Sequence, residues 1–392
     1  MLLLRGAAFP VEGEPELSPL PLPTVALVER PADTKEDWRK NLQQPVEEPV
    51  VMAWAYQPKT LESVPKGVNV LCPTWFYLEE GEEGQVVFHT LADMGKTTWD
   101  PLQYVTTAHD GGARVWGTVV SFTPELSRQV VEESEKQEEF IRACCSWVRN
   151  YNLDGISFDF EKMDPENKVL FTSLVGAVKE ALPASCTVSV AVTVPLDYDA
   201  PTNWWQCYDR GGLAKSCDYI AVMAYDSSSG YAEPTAAISW TEGRIRKLME
   251  EVPSNQILLG VPFYGIDYQG ERIQGELFRI HPTWKSQNSA KKTIIPRQVS
   301  TLLTENKVAV AGTEYVVDTW INKGTWNAEL GCVTICFVDS EDVSHTWWCE
   351  DTRSIYQKGL LTGKYCLGGV AVWQFAFGNE SLWNALVKGV KG

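Results

Sequence analysis

From residue 50 onward, the chain alternates short, nearly uninterrupted apolar runs with longer stretches in which apolar residues recur at helical spacing. Runs of the first kind, rich in β-branched and aromatic residues, are typical of parallel strands that are buried on both faces. Eight of them predict strands, at residues 50–56, 68–78, 114–122, 153–161, 187–194, 219–226, 257–265 and 368–375.

The segments between these predicted strands carry helical signals. Ser134 and Gln137 fit a capping box ahead of an apolar stripe with a 3.6-residue period. After the fourth strand, Asp164 can cap a helix whose first position is Pro165. This α/β alternation predicts a (β/α)8 TIM barrel. A doubly wound open sheet is the alternative, and the sequence lacks the GxGxxG motif that many such folds carry.

Two parts of the chain break the alternation. Residues 271–347 hold several short β-type runs, and a helix is predicted only after them, at 350–365. We therefore predict a small α+β insertion at 271–347, between strands 7 and 8 of a barrel formed by residues 50–270 and 348–392. Residues 1–49 are rich in Pro and Glu and predict an N-terminal arm or linker, whose apolar run is too short for a signal peptide.

Charge and composition narrow the class of protein. The net charge of −17 disfavours nucleic acid as a partner. No apolar run approaches the ~20 residues that span a bilayer, so a soluble globular protein is expected. The ten cysteines form no CxxC pair and the four histidines have no zinc-site spacing. We therefore expect no metal, and reduced thiols that weakly disfavour an oxidising compartment.

The fourth predicted strand carries the strongest candidate chemistry, in the segment DGISFDFE at 154–161. Because side chains alternate along a strand, Ser157, Asp159 and Glu161 share one face, and the apolar residues share the other. In a barrel the apolar face meets the helices, so the polar face points into the bore, with Glu161 at the carboxyl-terminal rim. Adjacent carboxylates move each other's pKa apart, which predicts a general acid and a supporting carboxylate. The alternative is a surface-facing acidic strand end.

This segment resembles the DGxDxDxE signature of glycoside hydrolase family 18, the chitinase-like family. The resemblance covers nearly all of residues 50–390 and includes MAYD at 223–226, GVPFY at 260–264 and Trp373. The segments VNVLCPTWFYL, NWWQCYDRGGLA and GVAVWQFAF look most like the bacterial branch that contains spore-cortex-lytic N-acetylglucosaminidases.

The resemblance implies substrate-assisted hydrolysis with retention of configuration, without a metal or organic cofactor. Glu161 would protonate the glycosidic oxygen while the 2-acetamido carbonyl of the substrate attacks the anomeric carbon. Asp159 would orient the acetamide and Tyr225 would hydrogen-bond its oxygen. Asp226 and Met223 would line the site at the −1 sugar, and Trp373 would form its floor. Tyr264 and Trp75, which lie near strand ends, are also assigned to substrate binding. Core packing is the alternative for each of them. The motif is completed by Asp154, Gly155 and Ser157.

The chain departs from the family pattern at Ser157, where the family has Asp or Asn. A carboxylate there could share a proton with Asp159, whereas a serine hydroxyl donates a hydrogen bond but carries no charge. Without that neighbouring charge, Asp159 is expected to stay ionised to lower pH.

The expected function is hydrolysis of β-1,4-linked N-acetylglucosamine (GlcNAc) glycans by a monomer, with peptidoglycan or its fragments preferred to chitin oligomers. Two alternatives stay open, a chitinase-like lectin that binds without cutting and an endoglycosidase that acts on glycoprotein glycans. Loss of the acid residue would mark the lectin, and Glu161 is present. The family resemblance favours the cell envelope or secretion, while the lack of a clear signal peptide keeps a cytoplasmic location open.

Overall fold

The computed structural model describes residues 37–95, 98–196, 206–227, 234–271, 291–294, 307–310 and 313–392. The described strands are, in chain order, β1 (Val50–Ala55), β2 (Val70–Glu80), β3 (Val86–Thr90), β4 (Arg114–Ser121), β5 (Gly155–Phe160), β6 (Thr187–Thr193), β7 (Tyr219–Met223), β8 (Ile257–Pro262), β9 (Gly265–Glu271), β10 (Lys291–Ile294), β11 (Lys307–Val310), β12 (Thr313–Asn327), β13 (Cys332–Asp339), β14 (Val343–Cys349) and β15 (Gly369–Trp373).

Eight parallel strands close into a barrel, in the order β1-β15-β8-β7-β6-β5-β4-β2, with β2 pairing back to β1. Each of the eight predicted strands overlaps one of them, so the TIM-barrel prediction is confirmed. Strand β3 lies outside the barrel and pairs antiparallel with β2. The carboxyl ends of the barrel strands therefore meet at one rim, which is where barrel active sites lie.

Helices cover the outside of the barrel. The described α-helices are α1 (Pro101–Asp110), α2 (Pro124–Glu132), α3 (Ser134–Tyr151), α4 (Lys168–Ala181), α5 (Arg210–Ser216), α6 (Ile238–Leu248), α7 (Thr352–Tyr365) and α8 (Glu380–Lys391). The helix predicted at 350–365 is confirmed as α7, where Asp351 and Ser354 form a capping box.

The predicted helix starts are only partly correct. The N-cap residue of α3 is Glu133, which makes no side-chain cap bond, and Ser134 already lies inside the first turn, so the predicted capping box does not form. The Gln137 side chain instead donates to the carbonyl of Val131 at 2.7 Å. Pro165 does open a short 3-10 turn that leads into α4, but the Asp164 side chain makes no capping bond there.

The two faces of the barrel strands enter different apolar clusters. The odd and even positions of β5 separate as predicted, with Ile156, Phe158 and Phe160 buried in the layer between barrel and helices. The bore holds a smaller cluster, which includes Met52, Trp54, Cys72, Trp116, Leu258 and Ala371. The bore beneath the rim is therefore a packed interior.

The insertion is a second sheet, of six antiparallel strands in the order β10-β9-β14-β13-β12-β11. It begins at Gly265 and ends at Cys349, so its described bounds are wider than the predicted 271–347. Its described residues are strands and turns, and residues 272–290, 295–306 and 311–312 of the predicted α+β unit lie outside the described residues. Because β9 starts two residues after Phe263, the sheet stands directly on the barrel rim.

The described part of the predicted N-terminal arm, residues 37–49, contacts the barrel. Asn41 donates to the carbonyl of Met249 at 2.8 Å, and the ring of Trp38 meets Tyr365 edge-on. Residues 1–36 of the predicted arm lie outside the described residues. Among the helices that the structure describes, none has the length and apolar character needed to cross a bilayer.

Candidate active site

Strand β5 brings two carboxylates to the rim of the barrel. Asp159 lies on the bore face and is 8% exposed, and Glu161 is the first residue after the strand. The backbone N–H of Glu161 donates to the carbonyl of Ser121 at 2.8 Å, which continues the β4–β5 pairing past the last strand residue. This pairing fixes the direction of Glu161 toward the same side as Asp159.

Burial changes the protonation of this pair. Burial raises the pKa of Asp159 well above its usual range, and the neighbouring Glu161 raises it further. Burial also raises the pKa of Glu161, while Lys162 opposes the rise and Asp226 adds to it. Two interacting carboxyls of this kind release their protons in two separate steps, so the pair passes through a state in which the two carboxyls hold one proton between them.

The expectation that Asp159 stays ionised to lower pH with Ser157 than with a carboxylate at that position compares two residues at 157, and it stays a prediction. Burial acts in the opposite direction on Asp159, because its charged form loses hydration in a nearly closed interior.

The segment that follows β7 supplies the next side chains. Tyr219 and Met223 lie on the bore-facing side of β7, and Tyr225 follows at the same spacing. Burial raises the pKa of the Tyr225 phenol well above its usual value, and Asp159, Asp226 and Glu161 raise it further, in that order. Tyr225 is therefore a neutral hydroxyl group surrounded by three carboxyls.

Two aromatic residues complete this rim. Tyr264 is buried and its hydroxyl donates to Oδ1 of Asp226 at 2.9 Å, which anchors a residue whose backbone has φ of 54°. Trp373 ends β15, is half-buried, and packs against the bore cluster, with its ring 6.4 Å from that of Trp54. The rim therefore combines an acidic side, from β5 and the segment after β7, with an apolar side at β15.

Comparison with known sequences decides the family. The profile of the glycosyl hydrolases family 18 matches residues 121–377, which is more than half of the chain. The chain belongs to glycosyl hydrolase family 18. It is therefore a glycosidase.

Individual family 18 relatives are distant in sequence. The chain is 22% identical to the uncharacterized glycosylase YvbX of Bacillus subtilis over 303 residues, 74% of this chain and 79% of that protein. It is 22% identical to the cortical fragment-lytic enzyme of Bacillus cereus over 302 residues, 76% of this chain but only 61% of that enzyme. It is 23% identical to the di-N-acetylchitobiase of Mus musculus over 298 residues, 72% of this chain and 75% of that protein.

Solved structures share the fold. The spore cortex-lytic enzyme SleL of Bacillus cereus superposes with a TM-score of 0.68 at 17% identity, over 87% of this chain and 74% of that one. A chitinase from Chromobacterium violaceum gives a TM-score of 0.67 at 18% identity, over 87% of this chain and 99% of that one. At such identities these likenesses show the barrel fold and no more.

One residue assigned to the family 18 site is misplaced. Trp75 is fully buried in the layer between barrel and helices, where its Nε1 donates to the carbonyl of Pro58 at 2.9 Å and its ring meets Tyr104 edge-on. Trp75 is therefore a core residue, and its assignment to substrate binding is wrong. The core-packing alternative holds for this position.

Asp154 and Gly155, the first two residues of the motif, hold strand β5 in place and lie far from the rim. Asp154 lies at the amino end of β5, where it accepts the N–H of Val115 at 2.7 Å and contacts His109 at 2.8 Å. A Cβ at Gly155 would lie 2.2 Å from the carbonyl oxygen of Thr187, so no larger residue fits between β5 and β6. Both residues fix the strand that carries the carboxylates, at a distance from the rim.

Sequence reasoning missed Tyr208. Its hydroxyl donates to the carbonyl of Phe160 at 2.8 Å, directly between the two carboxyl-bearing residues. Burial raises the pKa of this phenol well above its usual value, followed by the effects of Cys207, Asp159 and Glu161. Tyr208 thus fixes the strand end on which the pair is mounted. The segment NWWQCYDRGGLA contains it, but nothing in that segment indicates which of its residues reaches the site.

The described residues offer no cluster of three or more His, Cys, Asp or Glu side chains that could hold a metal ion. The donors gathered at the rim are carboxyls and phenols of raised pKa, which suit proton transfer and hydrogen bonding.

Proposed function

We propose that this glycosidase hydrolyses β-1,4-linked GlcNAc glycans with retention of configuration, using the acetamide of its own substrate as the nucleophile. The observation that carries the proposal is the pair of Asp159 and Glu161 at the rim, both with raised pKa, beside the neutral phenol of Tyr225. One proton held by such a pair provides a general acid and an anion side by side.

In the first step Glu161 carries the shared proton and transfers it to the glycosidic oxygen. The carbonyl oxygen of the 2-acetamido group attacks the anomeric carbon as the bond to the leaving sugar breaks, which gives an oxazolinium intermediate. Asp159, now the anion of the pair, accepts the acetamide N–H and stabilises the positive charge that develops on it. Tyr225 donates to the acetamide oxygen and holds it in line with the anomeric carbon.

In the second step the ionised Glu161 removes a proton from water, which attacks the anomeric carbon from the side that the leaving group vacated. Two inversions restore the original configuration. Asp226, held by Tyr264, binds hydroxyls of the −1 sugar, and Trp373 provides the apolar surface beneath that ring. Met223 lines the same part of the bore.

The relatives support a choice of substrate. One is named as a cortical fragment-lytic enzyme and another as a di-N-acetylchitobiase, so one name refers to lysis of cortex fragments and the other to cleavage of di-N-acetylchitobiose. We propose peptidoglycan fragments as the preferred substrate, ahead of chitin oligomers, with the enzyme acting as a monomer at the cell envelope. The chain spans 61% of the length of the cortical fragment-lytic enzyme, so the activity of that whole enzyme is extended to this chain only as a proposal.

The test is a side-by-side digestion. The purified protein is incubated with a chitobioside that carries a fluorescent aglycone, with peptidoglycan fragments and with chitin oligomers, and products are identified by mass spectrometry. We expect release of the aglycone and a higher rate on peptidoglycan fragments than on chitin oligomers. Binding of all three without cleavage would instead identify a chitinase-like lectin. A fourth incubation contains a glycoprotein, and cleavage of its glycans with none of the other three substrates cut would identify an endoglycosidase.

A further inference from the structure

Three hydroxyl groups lie at one level of the bore, directly beneath Asp159. Thr118 on β4 pairs with Ser157 on β5, and Ser157 pairs with Ser189 on β6, so the three side chains stand next to one another across neighbouring strands. All three residues are fully buried. None of them takes part in the proposed reaction.

These hydroxyls have unused hydrogen-bonding capacity. Among the described residues, no partner in normal geometry is present for Oγ1 of Thr118, Oγ of Ser157, Oγ of Ser189 or Oδ1 of Asp159. Ser157 does lie beside the Cys72 thiol, but sulfur is a weak hydrogen-bonding group. Buried polar atoms in proteins are almost always bonded to the protein or to ordered water. Four such atoms at one place indicate a shared partner.

The spacing suits one bridging water. Ser157 and Asp159 are one strand repeat apart, about 6.6 Å along β5, which is too far for a direct bond between their short side chains. A water with two hydrogen bonds of about 2.8 Å each spans such a gap. Neighbouring bore positions are taken by Ala191 and Ala221, whose side chains occupy less of the bore than the Met, Leu and Trp side chains elsewhere in it.

We propose that Thr118, Ser157 and Ser189 form a water-binding site, and that its ordered water donates a hydrogen bond to Oδ1 of Asp159 and positions that carboxyl. A water needs two to four polar partners to be held in an interior, and three hydroxyls with one carboxyl oxygen provide four. Ser157 occupies the position at which the family pattern has Asp or Asn. Where the family has Asp, a charged side chain lies next to Asp159, and in this chain a neutral hydrogen-bond donor takes its place.

The consequence for the pair follows from the direction of this bond. A donor to Oδ1 stabilises the ionised form of Asp159 and offsets part of the effect of burial. The one proton of the pair is then kept on Glu161, where the leaving sugar needs it. This consequence rests on the proposed function, whereas the water site itself does not.

The direct test reads Asp159 without using activity. The carboxyl carbon of Asp159 is labelled with ¹³C, assigned by its loss in Asp159→Asn, and titrated by NMR in the wild-type protein, Thr118→Val and Ser157→Ala. Thr118→Val keeps the shape of the side chain and removes only the hydroxyl. We expect the pKa of Asp159 to rise by about 0.5 to 1 unit in both variants, because each loses a partner of the water.

Two matched variants separate this effect from a change in packing. Thr118→Ser restores a hydroxyl and should titrate as the wild type does. Thr241 in α6 is also fully buried with an unpartnered Oγ1 among the described residues, but it lies outside the bore, so Thr241→Val should leave the pKa of Asp159 unchanged. Equal shifts in Thr118→Ser or Thr241→Val would overturn the proposal, as would an unchanged titration in Thr118→Val and Ser157→Ala.

A crystal structure of the wild-type protein provides the second readout. Density for a water within hydrogen-bond distance of at least two of the three hydroxyls and of Oδ1 is expected, and a dry contact there would overturn the proposal. If the protein cleaves no GlcNAc glycan at all, the proposed function fails, yet the titration and the density still decide the water site.

Discussion

The two halves of the bore are filled by different kinds of side chain. Around β1, β8 and β15 the bore residues are apolar, among them Met52, Trp54 and Leu258. Beneath the rim on β4, β5 and β6, one level of bore residues consists of Thr118, Ser157 and Ser189, with Asp159 above them, and the same strands also carry the apolar Trp116 and Ala191. Both halves are equally hidden from solvent, so burial alone does not decide which residue occupies a bore position.

The difference shows what each half contributes. Burying apolar side chains stabilises the barrel. Burying a carboxyl and three incompletely bonded hydroxyls costs free energy, and proteins keep such groups mainly where function uses them. Changes in the apolar half should therefore lower stability with little change in chemistry, and changes in the polar half should alter the chemistry without lowering stability.

The largest effect is expected in the polar half, from Glu161→Gln. Glutamine has the same shape but no transferable proton, and general acid catalysis contributes about 10²–10⁴-fold. We expect turnover of a chitobioside to fall by that factor while binding of the sugar persists. Glu166→Gln, in the exposed turn just beyond the pair, is the matched control and should leave turnover unchanged. A Glu161→Gln protein with near-normal turnover would remove Glu161 from the role of acid.

The apolar half should respond through stability. Met52 is fully buried in the bore, and truncation of a buried Met to Ala typically costs about 2–5 kcal/mol. We expect Met52→Ala to lower the free energy of unfolding in urea by an amount in this range and to leave the shape of the pH–rate profile unchanged. A shifted profile at unchanged stability would contradict the division between the halves.

The cost of the buried carboxyl predicts that Asp159→Asn stabilises the fold. The folded-state pKa of Asp159 is raised, so the folded protein binds the proton of this carboxyl more tightly than the unfolded chain does. Its contribution to the free energy of unfolding is therefore fully present below the unfolded-state pKa of about 3.9 and is lost as the pH rises toward the folded-state pKa. Asparagine does not ionise. The free energy of unfolding of the variant should therefore match that of the wild type near pH 4 and exceed it increasingly as the pH rises toward the folded-state pKa, by about 1.4 kcal/mol for each unit of pH. Urea titrations at pH 4 and pH 7 measure this, and a variant less stable than the wild type at pH 7 would contradict it.

The smallest effect concerns Ser157→Asp. A carboxylate there would repel the charge on Asp159 and raise the lower pKa of the pair. We expect the acidic limb of kcat/KM against pH to move upward by up to about one unit, with the fold preserved. Superimposable acidic limbs would mean that position 157 is electrostatically uncoupled from the pair.

The alternation along β5 could be predicted because each of its two faces has one kind of residue. The burial of Trp75 could also be predicted from the sequence. Trp75 lies four residues after Leu71 on β2, so the two side chains are on the same face of the strand, and Leu71 faces the helices. Its neighbour Phe76 faces the same way because the β2–β4 register shifts between Thr74 and Phe76. A bulge of this kind has no clear signature in the sequence.

Other features depend on the packed structure. Tyr208 reaches the carbonyl of Phe160 across 48 residues of chain, and local patterns contain no information about such a contact. The raised pKa of Asp159 depends on how completely the barrel excludes water, which residue types alone do not specify. The first strand of the second sheet is also hard to separate from the barrel in the sequence, because β9 follows β8 with almost no linker.

The nucleophile is the central claim, and one comparison tests it directly. Two chitobiosides with the same aglycone are prepared, one with GlcNAc and one with glucosamine at the −1 position, and kcat/KM is measured for each. Without the acetamide, the substrate has no carbonyl to attack the anomeric carbon, and Asp159 has no amide N–H to accept. The account predicts rapid cleavage of the first and no detectable cleavage of the second. Efficient cleavage of the glucosamine substrate would require a nucleophile from the protein and would contradict the role given to Asp159.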